Sequence, residues 1–108
     1  MSEEMPIMRQ YRRLKSEASI GSILLFKMGD FWEVFGEDAV RLSPIFGTTL
    51  TMRGGTQMTG CPEWSLEERM HSKFASGSVF ALAEVAEFNK RGIPRREITR
   101  IVKGGIDE

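Results

Sequence analysis

The chain of 108 residues has little of what several protein classes require. It contains one cysteine, Cys61, so an internal disulfide is excluded, and a lone thiol is typical of the reducing cytoplasm. We interpret Cys61 as a small buried filler, because no histidine or second cysteine lies near it in the sequence. Apolar runs such as residues 23–26 are far shorter than the ~20 residues that cross a bilayer, and the acidic N-terminus does not resemble a signal peptide. We therefore expect a cytoplasmic protein without membrane contact.

No arrangement of side chains indicates catalysis. The single histidine, His71, falls among charged residues, and we expect it to face solvent. The sequence has neither the Cys/His spacing of a metal site nor the G-x-x-x-x-G-K-[ST] loop that binds ATP phosphates. We therefore expect no enzymatic activity, no cofactor and no metal. One alternative is a metal-dependent nuclease, which needs clustered acids such as those found here, Asp30, Glu33, Glu37 and Asp38.

The charge is balanced in total but unevenly distributed. Fifteen basic residues match fifteen acidic ones, so charge alone makes the chain a poor binder of nucleic acid. Basic residues are nevertheless concentrated in two places, near the N-terminus and between residues 90 and 103. The first group is Arg9, Arg12, Arg13 and Lys15, and the second is Lys90, Arg91, Arg95, Arg96, Arg100 and Lys103. Such groups are usually solvated faces, although they also fit contact with phosphates.

Hydrophobic periodicity predicts three helices. The first begins at Pro6 and has an apolar stripe of Ile7, Tyr11, Leu14 and Ala18. The second covers residues 37–46, with a break near Pro44 and an end at Gly47. The third begins with a capping box at Ser65 and has an apolar stripe of Leu66, Met70 and Phe74 before Gly77 ends it.

Five strands are predicted between these helices. They cover residues 22–28, 31–35, 48–53, 79–85 and 97–102, and residues 54–63 are predicted to form a glycine-rich loop. Strands and helices alternate loosely, which favours an α/β fold with a mixed β-sheet flanked by about three helices. The length suits one domain over residues 1–108.

The segment at residues 28–35 has an unusual feature. Gly29 and Asp30 predict a turn, after which Phe31 and Glu33 share one side of a strand and Trp32 the other. An aromatic ring beside a carboxylate at a turn is suited to reading DNA, because the ring wedges between base steps while the carboxylate hydrogen-bonds a base edge. The pattern by itself favours an amphipathic strand with Phe31 buried, with the DNA-reading arrangement as the alternative.

The stretch Leu24-Leu25-Phe26-x-Met28-Gly29-Asp30-Phe31-Trp32-Glu33-Val34-Phe35 closely resembles the segment that carries the Phe-x-Glu motif in the MutS family of DNA mismatch-recognition proteins. Further segments resemble the mismatch-sensing N-terminal domain of that family in the same order. They are residues 5–15, 37–42, 49–54, 96–102 and the loop Met58-Thr59-Gly60-Cys61-Pro62. The resemblance therefore extends over nearly the whole chain.

The resemblance implies a site. In it, Phe31 stacks on a mispaired or unpaired base from the minor-groove side, where the DNA kinks, and Glu33 hydrogen-bonds the same base. The flanking residues are Met28, Arg53, Met58, Gly60 and Pro62, with Arg53 holding a phosphate. We also expect Arg95 and Arg96, in the second basic group, to position the duplex without reading its sequence.

The chain also departs from the family pattern. Trp64 stands where the family usually has histidine or arginine, and residues 103–108 differ from the usual exit into the next domain. We expect a chain that ends here without the connector, clamp and ATPase domains, and a fragment of a larger protein is the other interpretation. The expected function is non-catalytic recognition of mispaired or distorted double-stranded DNA, including small loops, with other MutS-family or repair proteins as further partners.

Two rival interpretations stand beside this one. The chain could be a protein-interaction module that keeps the fold without reading DNA, with Trp64 as a contact residue. It could also be the small nuclease described above. An exposed Phe31 favours DNA reading and a buried Phe31 favours the interaction module.

Overall fold

The computed structural model describes residues 6–106. Its helices are α1 (Pro6–Glu17), α2 (Glu37–Phe46) and α3 (Leu66–Met70), and its strands are β1 (Ile23–Met28), β2 (Phe31–Phe35), β3 (Thr51–Arg53), β4 (Thr56–Pro62), β5 (Val79–Phe88) and β6 (Pro94–Lys103). The strands form one sheet in the order β3-β4-β2-β1-β5-β6, in which only β1 and β5 pair in parallel. The predicted α/β fold, a mixed sheet with three helices, is confirmed.

Helices cover both faces of this sheet. On one face α1 packs Tyr11 and Leu14 against Leu24, Phe26 and Phe35. On the other face α2 and α3 pack against the alternate residues of the same strands, among them Ile23, Leu25, Trp32 and Val34. The expected apolar stripe of α1 and the expected alternation of β2 are confirmed. No helix within residues 6–106 is long and apolar enough to cross a membrane.

Helix α2 does not break near Pro44, contrary to the expectation. It continues to Phe46 and ends at Gly47, whose left-handed φ of +69° lets its N–H donate to the carbonyl of Ser43 at 2.9 Å. Proline removes one helical hydrogen bond, here the one to the carbonyl of Val40. Because Val40 is an exposed residue in this short helix, that loss is tolerated.

Residues 54–63 are not a loop, and this expectation is wrong. Gly54 and Gly55, with φ of +57° and +81°, form a tight turn, and Thr56–Pro62 then forms strand β4 between β3 and β2. The glycines therefore mark a hairpin turn and one position of close strand contact, not an irregular segment. The preceding strand is shorter than expected and begins only at Thr51.

Helix α3 is also shorter than expected. It ends at Met70, and a separate 3₁₀ turn, Lys73–Ala75, leads to Gly77. Leu66 and Met70 are buried as predicted, but Phe74 is exposed and does not belong to the apolar stripe. The hydroxyl of Ser65 donates to the carbonyl of Pro62 and makes no capping bond, so the expected capping box is absent.

Strands β5 and β6 are longer than predicted. Each has ten residues, and together they form a hairpin whose tip lies between Phe88 and Pro94, with register shifts near Leu82 and Val85. β6 is an edge strand of the sheet, and most of the outer part of the hairpin is exposed.

A buried carboxylate connects α1, β1 and α2. Asp38 accepts hydrogen bonds from Lys15 Nζ at 3.0 Å, from the Tyr11 hydroxyl at 3.1 Å and from the N–H of Leu24 at 3.1 Å. The Tyr11 hydroxyl also lies 2.6 Å from the carbonyl oxygen of Leu24. Burial, together with the charge of Asp38, raises the pKa of Tyr11. This network fixes α1 over one end of the sheet.

We predict that Tyr11→Phe destabilises the fold by about 1–2 kcal/mol, because the ring contacts with Phe26 and Phe35 remain while buried acceptors lose their donor. Urea denaturation followed by circular dichroism measures this free energy of unfolding. A variant as stable as the parent would show that the hydroxyl contributes nothing to holding α1.

Candidate functional site

The β1–β2 turn exposes Phe31. Gly29, with φ of +61°, allows the turn, and Phe31 is the first residue of β2, opposite Met28 on β1 and Pro62 on β4. Half of the Phe31 side chain is exposed, at 50%. The next residue, Trp32, points to the other face and is buried in the core. Of the two interpretations of this segment, the exposed aromatic residue is the one that the fold supports.

The residues that the resemblance assigned to the site lie on one face of the sheet. Residues directly opposite each other on paired antiparallel strands share a face. Phe31 is opposite Met28 and Pro62, and Glu33 is opposite Gly60. The same register places Met58 and Arg53 on this side as well. We call this set the Phe31 face: Met28, Phe31, Glu33, Arg53, Met58, Gly60 and Pro62.

Helix α1 covers only part of this face and leaves Phe31 and Arg53 exposed. Its packing on the sheet is centred on Leu24, Phe26 and Phe35, with Met28 and Met58 at the margin. Phe31 and Glu33 do not belong to that packed cluster. The face therefore combines an exposed aromatic ring, a carboxylate and an arginine on a rigid sheet.

Glu33 lies between two arginines. Its Oε2 is 3.0 Å from Nη1 of Arg53, and the two side chains are 17% and 48% exposed. On its other side is Arg96, whose guanidinium stacks 5.1 Å from the ring centre of Phe26, the residue opposite Glu33 on β1. Burial lowers the pKa of Arg96, and the negative charge of Glu33 opposes that shift.

Gly60 is required for the close contact between β4 and β2. A Cβ atom at this position would lie 2.3 Å from the carbonyl oxygen of Trp32 and 3.3 Å from Cα of Glu33. Any side chain would therefore push the two strands apart beside Glu33. The family resemblance assigned Gly60 to the site, but the sequence did not reveal that the close packing of β4 on β2 requires a glycine there.

Arg96 occupies a different position from the one expected of a phosphate contact. It is 5% exposed, and its Nε donates to the carbonyl oxygen of Lys27 at 3.0 Å. Its neighbour Arg95 points outward and pairs with Glu87 at 2.9 Å and with Glu97. A buried, bonded guanidinium is poorly placed to meet a phosphate, so Arg96 anchors the β1–β2 hairpin instead.

Members of both basic groups of the sequence meet on one surface. Gln10 of α1 donates to the carbonyl of Pro94 at 3.1 Å and accepts from the N–H of Arg96 at 2.6 Å, while Arg13 reaches the carbonyl of Arg96. These bonds bring α1 against the β5–β6 hairpin. We call the resulting surface the basic ridge: Arg9, Arg13 and Arg95. No local sequence signal reveals this contact, because its partners are more than 80 residues apart.

The acids of residues 30–38 do not converge. Asp38 is committed to the network with α1, and Glu33 is paired with Arg53. Among residues 6–106, no group of three histidine, cysteine or acidic side chains is arranged to hold a metal ion. This arrangement offers no support for the nuclease interpretation. Cys61 is buried, as expected, and burial raises the pKa of its thiol.

Trp64 and Phe74 form an exposed aromatic pair on the opposite side of the sheet. They are 82% and 67% exposed and flank a depression of about 550 Å³ between α2 and α3. The lining includes Phe46, Arg69 and Ser72. The sequence analysis singled out Trp64, whereas Phe74 was missed because it was assigned to a buried helical stripe.

Comparison with known proteins agrees with the geometry. The family model described as MutS domain I matches residues 5–106. The chain belongs to this family. It is similar to the DNA mismatch repair protein MutS of Petrotoga mobilis, with 39% identity over 112 residues that cover 100% of this chain and 14% of the relative. The MutS proteins of Methanothrix thermoacetophila and Rhodopirellula baltica are each 40% identical over 93% of this chain and 12% of their own length.

The MutS domain I fold thus accounts for the whole described chain, which spans 12–14% of the length of these relatives. Within this fold, the Phe31 face brings together the side chains that the family resemblance assigned to the site. The activity of the much longer relatives does not transfer to this chain by length or identity alone.

We predict that Arg96→Met lowers the free energy of unfolding by about 1–3 kcal/mol, because the carbonyl of Lys27 loses its donor. Arg95→Met is the matched control and should change stability by no more than about 0.5 kcal/mol, since surface substitutions rarely do more. Thermal and urea denaturation of both variants tests the difference. Equal effects of the two substitutions would contradict the anchoring role of Arg96.

Proposed function

We propose that this MutS-family domain recognises mispaired or distorted double-stranded DNA without catalysing a reaction, as part of DNA mismatch repair. Phe31 is the wedge and Glu33 the hydrogen-bonding partner of the same base. The observation that carries the proposal is the half-exposed Phe31 on the same open face as Glu33, in a chain that matches MutS domain I over residues 5–106.

The physical basis of recognition is the cost of unstacking. An aromatic ring that enters between base steps must separate them and kink the duplex. Mismatched and unpaired positions, including small loops, are already weakly stacked and bend at lower cost, so the wedge enters there preferentially. Phe31 is suited to this because its ring stands at a turn on a rigid sheet.

The remaining residues of the Phe31 face shape the contact. Met28 and Pro62 lie directly beside Phe31 and provide an apolar surface for the sugar and base edges. Arg53 holds a phosphate near the distorted step, and Met58 and Gly60 lie beside Glu33 and Arg53 at the edge of the contact. Arg95 and the basic ridge bind phosphates farther along the duplex and fix its position.

Affinity of the domain alone should be low. The net charge is zero, and two of the ridge arginines already pair with acids, Arg13 with Glu17 and Arg95 with Glu87. Counterion release therefore contributes little, and we expect dissociation constants in the micromolar range or weaker at physiological salt. Other MutS-family or repair proteins are the natural further partners.

Protein interaction is the second candidate function. The exposed Trp64 and Phe74, on the side opposite the Phe31 face, are the observation that favours it. Exposed aromatic pairs flanking an apolar depression are typical of protein contacts. The two functions use different surfaces, so variants of one surface separate them.

We predict that Phe31→Ala abolishes the preference for mismatched over matched duplexes. Stacking of a base on an aromatic ring contributes roughly 1–3 kcal/mol, so the preference should fall by about fivefold or more. Fluorescence anisotropy with labelled mismatched and matched duplexes measures the ratio. Phe74→Ala is the matched control, another exposed phenylalanine on the other side of the sheet, and should leave the ratio unchanged.

The stability of Phe31→Ala supplies the second measurement. A half-exposed ring contributes little to the core, and the free energy of unfolding should fall by less than about 1 kcal/mol. If Phe31→Ala melts as the parent does and still discriminates mismatched DNA as well, the wedge assignment is wrong.

We predict that Arg95→Ala weakens binding to matched and mismatched duplexes to the same extent, because contacts with phosphates carry no sequence information. The slope of log K against log salt concentration should decrease by at most about 1, the value for one lost phosphate contact. A loss restricted to mismatched duplexes would assign Arg95 a role in discrimination instead.

A further inference from the structure

The carboxylate that the proposed function needs is already occupied. Arg53 Nη1 donates to Oε2 of Glu33 at 3.0 Å. Glu33 is only 17% exposed, so the arginine covers much of the approach to it. A base edge that bonds this carboxylate has to compete with a charge-assisted hydrogen bond, which is stronger than a neutral one.

Arg53 is placed where it can leave. It is the last residue of β3, a three-residue edge strand whose residues are all exposed. Gly54 and Gly55 follow it at the hairpin turn. Nearly half of its side chain faces solvent, and an exposed ion pair of this kind contributes little free energy. A phosphate offers the same guanidinium a bidentate partner of at least equal strength.

Arg96 has the opposite properties. It is buried, it donates to the carbonyl of Lys27, and it stacks on Phe26 beside Glu33. It therefore remains near Glu33 whatever Arg53 does. Glu33 accordingly has one fixed cation and one exchangeable cation.

We propose that Arg53 transfers from Glu33 to a DNA phosphate when a duplex docks, and that this exchange frees Glu33 to bond a base. Arg53 is thereby a specificity-determining residue, since Glu33 becomes available only when the phosphate backbone is in place. This inference rests on the proposed function for the role of Glu33. The exchange itself requires only a phosphate, and it is therefore testable on fully matched DNA.

The test compares the salt dependence of binding to one matched duplex for the parent chain, Glu33→Gln, Arg53→Gln and the double variant. Each phosphate contact adds about 0.9 to the slope of log K against log salt concentration. If Arg53 exchanges, the parent and Glu33→Gln have the same slope, because Arg53 is on a phosphate in both complexes. Arg53→Gln and the double variant then share a slope lower by about 0.9.

Affinity gives a second readout. Under exchange, Glu33→Gln should bind matched DNA about two- to fivefold more tightly than the parent, since no exposed ion pair has to be broken. If Arg53 stays on Glu33 in the complex, the parent and Arg53→Gln share the lower slope. The slope for Glu33→Gln alone is then steeper by about 0.9, the value for one phosphate contact. This result overturns the proposal, as does the absence of DNA binding at low salt.

Arg100→Gln is the matched control for charge. Arg100 is 51% exposed and pairs with Glu67 of α3 at 2.6 Å, on the side away from the Phe31 face. Its removal changes the net charge equally and should leave the slope unchanged. The ratio of mismatched to matched affinity, measured on the same proteins, tests the proposed function separately. If the parent chain shows no mismatch preference but the exchange occurs, only the proposed function is rejected. If the parent prefers mismatched DNA but its slope differs from that of Glu33→Gln, only the exchange is rejected.

Discussion

Asp38 is a buried charge bonded by α1 and β1, and the position of α1 depends on it. The carboxylate is 4% exposed and accepts bonds from Lys15 and Tyr11 of α1 and from the backbone of Leu24. A buried carboxylate is tolerated only when such bonds satisfy it, so the three elements have essentially one mutual arrangement. That arrangement places α1 over the Leu24 end of the central strands. Phe31, at the β1–β2 turn, lies outside the cluster that α1 packs against.

Strand β2 serves the core and the site at the same time because its residues alternate. Trp32 and Val34 fill the core under α2, while Phe31 and Glu33 point to the other face. The rigidity of the buried residues fixes the exposed ones, which pre-organises the site without a loop that has to order on binding. Arg96 adds to this effect by holding the β1–β2 hairpin from the far edge of the sheet.

Local sequence patterns predicted the elements whose apolar residues recur at regular spacing or whose turns are marked by glycine. The stripe of α1, the alternation of β2 and the turn at Gly29 were all visible in short windows of sequence. Strand β4 was missed because glycine and proline usually mark loops, whereas Gly60 is required by the close approach of Trp32. The burial of Arg96 was missed for a related reason. It depends on α1, β1 and β6 meeting in space, and no pattern within β6 encodes that contact.

The family motif located the Phe31 face more accurately than charge patterns did. Residues from four segments come together there because the register of β1, β2, β3 and β4 aligns them. The second basic group, in contrast, contains both solvated and buried side chains, and these have different roles. Arg95 and Arg96 are adjacent in sequence and have opposite environments, since successive side chains of a strand point to opposite faces.

Because β6 lies at the edge of the sheet, it affects the solubility of the protein. Gln10 and Arg13 of α1 bond the backbone of β6 at Pro94 and Arg96, but its outer side pairs with no other strand of the described sheet. Such an edge strand is a template for pairing with another copy of the chain. Charged side chains recur along it at Arg95, Glu97, Arg100 and Lys103 and oppose that pairing. These residues are thus gatekeepers against aggregation, and Arg95 is in addition a candidate for contact with nucleic acid. A variant in which several of them are neutralised at once would lose both properties, and its behaviour at high protein concentration would change for reasons unrelated to DNA.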